Sequence, residues 1–137
     1  EFKEVFSKVP RVTVDVVIQS KDGVLLVKRA IQPGNGLWHL PGGTVNYGET
    51  VRDATFRKAL EETGLIIKIK KFLFYCDFIN VWKRPGYTHI IDIFATATPL
   101  RGILKNDKDG DGINWFKKLP KNLLPEHKEV LNRLGYK

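Results

Sequence analysis

Residues 43–65 read GTVNYGETVRDATFRKALEETGL. Thr50 supplies a side-chain oxygen for a helix start, no Pro or Gly interrupts the run to Thr63, and Gly64 follows as a stop. A helix is therefore expected from about residue 50 to residue 63. At 3.6 residues per turn Lys58, Glu61 and Glu62 share one arc, while Val51, Thr55, Phe56, Ala59 and Leu60 form an apolar side that a sheet can cover. The charged arc then faces a cleft or solvent.

The surroundings follow from this helix. Alternation in Val12, Val14, Val16 and Ile18 predicts a strand, and Asp22-Gly23 turns the chain into a second strand from Val24 to Lys28. Pro33, Gly34 and Gly36 mark a loop, and Pro41-Gly42-Gly43 is a second break, where backbone can be approached closely. Two long Ile- and Phe-rich strands are expected over residues 65–78 and 88–98, a polar loop over 101–112, a return to the core at Trp115-Phe116, and a last helix over 125–134. Strands mixed with two non-alternating helices predict an α/β (α+β) fold, an α/β/α sandwich on a mixed sheet, as one domain over residues 1–137.

Paired carboxylates beside a glycine-rich turn suit a hard dication that takes oxygen ligands and leaves positions open for phosphate, which means Mg²⁺ or Mn²⁺. A helix carrying only Glu61-Glu62 would be an ordinary solvated face; the spacing around the pair decides otherwise. From Gly43, five residues lead to Glu49 and seven more to Arg57, with Ala59, Glu61, Glu62, Gly64 and Leu65 in order. This resembles the box of the Nudix hydrolases (MutT-like pyrophosphohydrolases) at every fixed position but one. The early hairpin, Gly36-Leu37-Trp38, Leu40-Pro41-Gly42-Gly43 and Trp115-Phe116 extend the resemblance over most of the chain.

The resemblance implies metal-assisted hydrolysis of a nucleoside diphosphate linked to another group: a nucleotide sugar, an ADP-ribose-like compound or a nucleoside triphosphate. Glu61, Glu62 and the Gly42 carbonyl are the implied metal ligands. Arg57 and Glu49 join Glu61 and Glu62 as the implied catalytic set, the first two as an orienting ion pair; an architectural role accounts for that pair equally well, and Glu49 also suits the start of a helix. The departure is Lys58, which stands where the family usually has Glu. An ammonium there repels a dication, so two readings stay open. Lys58 contacts substrate phosphate, or the chain is a catalytically impaired nucleotide-binding or regulatory module.

Residues 29–38 and the Thr88-His89 start of a strand are similar to GDP-mannose mannosyl hydrolases, a comparison that puts Arg29 and Asp15 at substrate-contacting positions. Trp38, Tyr47 and Trp82 are candidates to stack on a base or sugar, although aromatics at such places more often lie in a core. Asp107, Asp109 and Asp111 offer replacement ligands or bases. Their loop imitates the start of a calcium-binding EF-hand, but Lys118 stands where that motif needs a bidentate Glu. His127, beside Glu126 on the last helix, is expected to be solvated, while His39 and His89 are ambiguous.

Composition bounds the rest. With 42% hydrophobic and 28% charged residues, 137 residues can bury a core, and no apolar stretch approaches a membrane span. A net charge of +8 suits a phosphorylated small molecule, a membrane surface or RNA, but the basic residues are scattered. The dense group Lys68, Lys70 and Lys71 falls in an alternating strand, where a solvated face explains it, so RNA is disfavoured. A lone Cys76, expected buried and inert, and the lack of a basic-then-apolar leader point to a cytoplasmic protein. A homodimer is compatible as a tendency of the family.

Overall fold

Residues 11–20, RVTVDVVIQS, form the strand that organises the molecule, β1 (Arg11–Ser20). In the computed structural model, which describes residues 2–30, 36–80, 88–105 and 112–137, six consecutive residues of β1 are buried, so both its faces meet protein. Burial on both faces explains the near-continuous β-branched run. On one side β1 pairs in parallel with β6 (His89–Gly102), Arg11 to Ile18 against Ile90 to Ala97. β6 pairs antiparallel with β5 (Leu65–Ile79).

The opposite edge of β1 is shared. Gln19 and Ser20 pair with β2 (Gly23–Lys28), while Thr13 to Asp15 pair with β4 (Gly42–Thr44). Between them the Val16 N–H donates to the Pro41 carbonyl at 2.9 Å. β2 continues to β3 (Trp38–His39) and also pairs with β7 (Ile113–Phe116). The hairpin turn falls on Lys21-Asp22, one residue earlier than the sequence suggests, since Ser20 is paired with Gly23. Gly23 has φ +112°, and a Cβ there would lie 2.1 Å from the Phe116 carbonyl oxygen, so both conformation and contact demand glycine.

Helix α1 (Phe2–Val5) has no counterpart in the sequence reading. α2 (Val51–Thr63) begins as read: the Thr50 hydroxyl accepts from the Asp53 N–H at 3.0 Å, and Gly64 ends the helix in the left-handed conformation. Its buried face is Ala54, Thr55, Ala59 and Thr63. Leu60, expected on that face, is 48% exposed; the small residues bring the helix close to the sheet, and Leu60 falls outside the contact. α2 covers Val16, Ile18, Ala95, Ala97, Leu65, Ile67 and Ile69, with Phe56 at the rim.

The other face carries α3 (Pro125–Arg133), whose Val130 and Leu131 pack with Val17, Val24, Leu26, Trp38, Leu40 and Phe94. A helix on each side of a mixed sheet is the α/β/α sandwich expected. Lys68, Lys70 and Lys71 are exposed along β5. Cys76 is free and half-buried, less enclosed than expected, because β5 is covered on only part of its length; burial raises its thiol pKa. No helix among the described residues is long and apolar enough to cross a membrane.

Candidate active site

The split edge of β1 opens a cleft of about 410 Å³. Its lining includes Arg11, Arg29, Gly42, Gly43, Lys58, Glu62 and, deeper, Asp15, Asp92 and His127. β1, β4, the start of α3 and the exposed arc of α2 therefore meet at one place, with the turn at Gly42-Gly43 in the middle. The turn is pressed tightly against its neighbours. A Cβ on Gly42 would stand 2.1 Å from the Val14 carbonyl oxygen and 2.3 Å from Asp15 Oδ1; one on Gly43 would stand 2.4 Å from Lys58 Cε and 3.0 Å from its Nζ. Lys58 thus lies across Gly43 at the cleft.

The box residues are tied together through Arg57. Its Nε donates to Glu49 Oε2 at 2.7 Å and its Nη2 to Glu49 Oε1 at 2.9 Å, a bidentate pair. Nη2 also reaches the Thr44 carbonyl at 2.9 Å, and Nη1 holds Glu61 Oε1 at 2.6 Å. The guanidinium holds the Glu49 carboxyl down at about 2. Arg57 therefore fastens the loop after β4 to α2, and its donors are spent on protein. Glu62 takes a different part: its Oε1 accepts the Gly42 N–H at 2.8 Å, and it lines the cleft. Glu61 is half-exposed beside Arg57 and is not among the lining residues.

For a divalent cation, the donors that line the mouth of the cleft are Glu62 beside the Gly42 peptide and Glu126, whose buried Oε2 has no hydrogen-bond partner among the described residues. Their hard oxygen chemistry fits Mg²⁺ or Mn²⁺, whereas Glu61 joins them only by leaving Arg57. A second group of donors lies deeper. One ligand atom each of Asp15, Asp92 and His127 lies within 4.8 Å of the others, and all three side chains are buried.

His127 is a correction to the sequence reading, being 6% exposed instead of solvated. α3 turns it inward on the face that also carries Val130 and Leu131. Its Nδ1 accepts the Leu40 N–H at 2.9 Å, so in the neutral ring the proton is on Nε2, which donates to Asp15 Oδ2 at 3.1 Å. Burial pushes its pKa down, which makes this contact a hydrogen bond from a neutral ring to Asp15. His39 is also held neutral by burial, at about 4, and its Nδ1 donates to the Leu40 carbonyl at 2.7 Å.

Asp15 lies beside Asp92, a carboxyl oxygen of each within 4.8 Å, and Asp92 Oδ1 accepts from Thr13 at 2.8 Å. Burial lifts Asp15 to about 7, and burial with the neighbouring Asp15 lifts Asp92 well above the usual carboxyl range. Two carboxyls this close share a proton instead of both ionising.

Asp92→Asn tests this. A carboxyl whose folded pKa is raised is protonated in the folded state but ionised in the unfolded state above about pH 4, so stability falls as pH rises, by up to about 1.4 kcal/mol per unit. The two depressed histidines act oppositely: below the usual imidazole pKa of about 6.5 the unfolded chain binds protons that the folded state refuses, so their contribution grows as pH rises toward that value, for His39 from about 4 upward. Asn keeps a donor for Asp15 and an acceptor for Thr13 without titrating. Relative to the parent, the variant should gain stability steadily as pH rises above about 4, read by chemical denaturation at each pH. A constant difference would mean that Asp92 is ionised.

The remaining sequence candidates separate. Trp38 is 7% exposed, edge-on to Phe116 at 4.8 Å between centroids with Lys28 over its ring, and it does not line the cleft. Tyr47 projects fully into solvent. Trp82, Asp107, Asp109 and Asp111 lie outside the described residues. Asp92 and His127 were missed as site residues. The signal for Asp92 was a single acid inside the apolar run Ile90 to Phe94, since a charge there needs a partner.

A family model, NUDIX domain, matches residues 9–134. The chain is 36% identical over 127 residues to the ADP-ribose pyrophosphatase of Methanocaldococcus jannaschii, covering 89% of this chain and 71% of that protein. It is 31% identical to the human 8-oxo-dGDP phosphatase NUDT18, over 83% of this chain but only 33% of that longer protein. Among solved structures, a MutT NUDIX hydrolase from Burkholderia pseudomallei superposes with a TM-score of 0.76 at 28% identity, over 92% of this chain and 98% of that one. The chain belongs to the Nudix hydrolase family.

Proposed function

We propose that this protein is a Mg²⁺- or Mn²⁺-dependent hydrolase of the phosphoanhydride bond in a nucleoside diphosphate derivative, ADP-ribose foremost, acting as a single domain on the nucleotide pool of the cytoplasm. The observation that carries the reading is the cleft in which Glu62, the Gly42-Gly43 turn, Lys58 and Arg29 meet. ADP-ribose leads because of the Methanocaldococcus relative, a named ADP-ribose pyrophosphatase matched over most of both chains.

Each residue has a part in this proposal. Glu62 and the Gly42 carbonyl would hold the cation, with Glu61 kept at the margin of the site by its bond to Arg57. A cation bound there would supply charge neutralisation of the diphosphate and a lowered pKa for a coordinated water. Lys58 and Arg29 bind phosphate oxygens, Lys58 as a point charge over Gly43. Arg57 and Glu49 keep the loop and helix in register. Asp15 sits beneath the turn, and Trp38 supports it from the core instead of stacking on substrate. Water's oxygen bonds to phosphorus as the bridging P–O bond breaks, giving two phosphate monoesters.

A binder without turnover is the second reading, favoured by the ammonium of Lys58 beside Gly43. The two separate in a product-release screen of ADP-ribose, nucleotide sugars, dinucleoside polyphosphates and nucleoside triphosphates, with and without Mg²⁺, run on the parent, Lys58→Gln and Lys58→Glu. The hydrolase reading expects metal-dependent turnover by the parent and a KM raised about tenfold in Lys58→Gln, the worth of a charge-assisted hydrogen bond. A silent parent with an active Lys58→Glu would overturn it in favour of the binder.

A further inference from the structure

The turn at Gly42-Gly43 is held by three elements. α2 holds it through Glu62 on the Gly42 N–H. β1 holds it through the antiparallel pairing of Asp15 with Gly42 and the packing of Asp15 Oδ1 against it. α3 holds it through His127, which takes the N–H of Leu40, two residues before Gly42, on Nδ1 and donates from Nε2 to Asp15. His127 is thus the only one of these side chains, among the described residues, that bonds both the approach to the turn and the strand beneath it. The backbone donor on Nδ1 fixes the tautomer, so the second bond can run only from Nε2 to Asp15. Leu40 is held on its other side as well, its carbonyl accepting from His39, so the peptide groups around Leu40 are clamped by two imidazoles.

We propose that His127 is a positioning residue through which α3 sets the Gly42-Gly43 turn: fixed as the Nε2–H tautomer, it ties Leu40 to Asp15 and holds the turn where Glu62 meets it. The proposal rests on the reading of that turn as part of the cation site only for its consequence; the clamp itself is independent of any bound ion. The link to Leu40 positions the turn, and the link to Asp15 orients the ring, as a carboxylate behind a histidine does.

The two bonds can be separated chemically. In His127→Asn the amide oxygen lies where Nδ1 was and can accept the Leu40 N–H, but nothing reaches Asp15. In His127→Gln the amide nitrogen reaches toward Asp15 and Leu40 loses its acceptor. His127→Leu removes both. Amide hydrogen exchange at Leu40 and Gly42 without metal and Mn²⁺ affinity by electron paramagnetic resonance are measured on every protein, and the ¹⁵N spectrum of the imidazoles on the parent.

The expected result is a pyridine-type Nδ1 and a pyrrole-type Nε2 for His127. Leu40 and Gly42 exchange at least tenfold faster in Leu and Gln, and near the parent rate in Asn. Mn²⁺ affinity falls tenfold or more in Leu and Gln and recovers to within threefold in Asn. A protonated Nδ1, or Asn and Gln behaving alike, would overturn the proposal, and since both variants retain polar groups the comparison survives even if Leu fails to fold. If exchange follows the expected pattern while Mn²⁺ affinity is unchanged throughout, the positioning role stands at the turn and the cation assignment in the preceding subsection fails.

Discussion

Glu62→Gln is expected to leave the fold intact and to lower metal-dependent turnover by about 10²–10³, which is roughly 3–4 kcal/mol of transition-state stabilisation. The amide oxygen of Gln can still accept the Gly42 N–H that Glu62 Oε1 now accepts, so the turn keeps its bond and the melting temperature should move by no more than a few degrees. What disappears is the negative charge of the carboxylate that meets the Gly42-Gly43 turn. Glu61→Gln should cost less than tenfold, because Glu61 is engaged by Arg57 outside the lining and a Gln oxygen also accepts from a guanidinium. Steady-state kinetics with Mg²⁺ titration, paired with thermal unfolding, checks both. Equal losses would mean that Glu61 leaves Arg57 for the site, and an active Glu61→Gln/Glu62→Gln double variant would end the metal assignment.

The largest effect on stability is expected from Phe94→Ala. Phe94 is fully buried on the α3 side of β6, with Phe74 at 5.5 Å and His127 edge-on at 6.0 Å between centroids. Removing a buried phenyl costs about 3–5 kcal/mol through lost transfer energy and the cavity left behind, or roughly 10–15 °C in a chain of this size. The cavity would border His127, so the variant should also bind Mn²⁺ more weakly in the folded fraction. A loss under 1 kcal/mol by urea denaturation would show that α3 collapses into the gap.

The parts of this fold that were legible in the sequence are those written locally. Thr50 and Gly64 mark the ends of α2 because capping acts within four residues, and the Nudix box is visible because its spacing belongs to one loop and one helix. The parts that were not legible depend on contacts between distant segments. Nothing near Asp15 indicates that Asp92 and His127 will meet it across 77 and 112 residues. His127 carries neighbours typical of an exposed helix, with Glu126 before it and Lys128 after it. Its inward direction comes from the three- and four-residue spacing to Val130 and Leu131, a weak signal in a helix of nine residues. Leu60 fails for the opposite reason: its periodicity is right, but the sheet is too closely approached by small residues for that part of the arc to be covered.

The parallel pairing of β1 with β6 bears on how the chain is made. Every rung of that ladder joins residues 79 apart, as Arg11 with Ile90 and Thr13 with Asp92. At translation rates of about 5–20 residues per second, β1 leaves the ribosome roughly 4–16 s before its partner. In that interval the Val-rich strand can be engaged only by the β2 hairpin and the short β4, neither of which covers the edge that β6 takes. The nascent N-terminal half therefore exposes a sticky strand while synthesis continues, and slower elongation through residues 65–88 should raise the share of chains captured by holding chaperones.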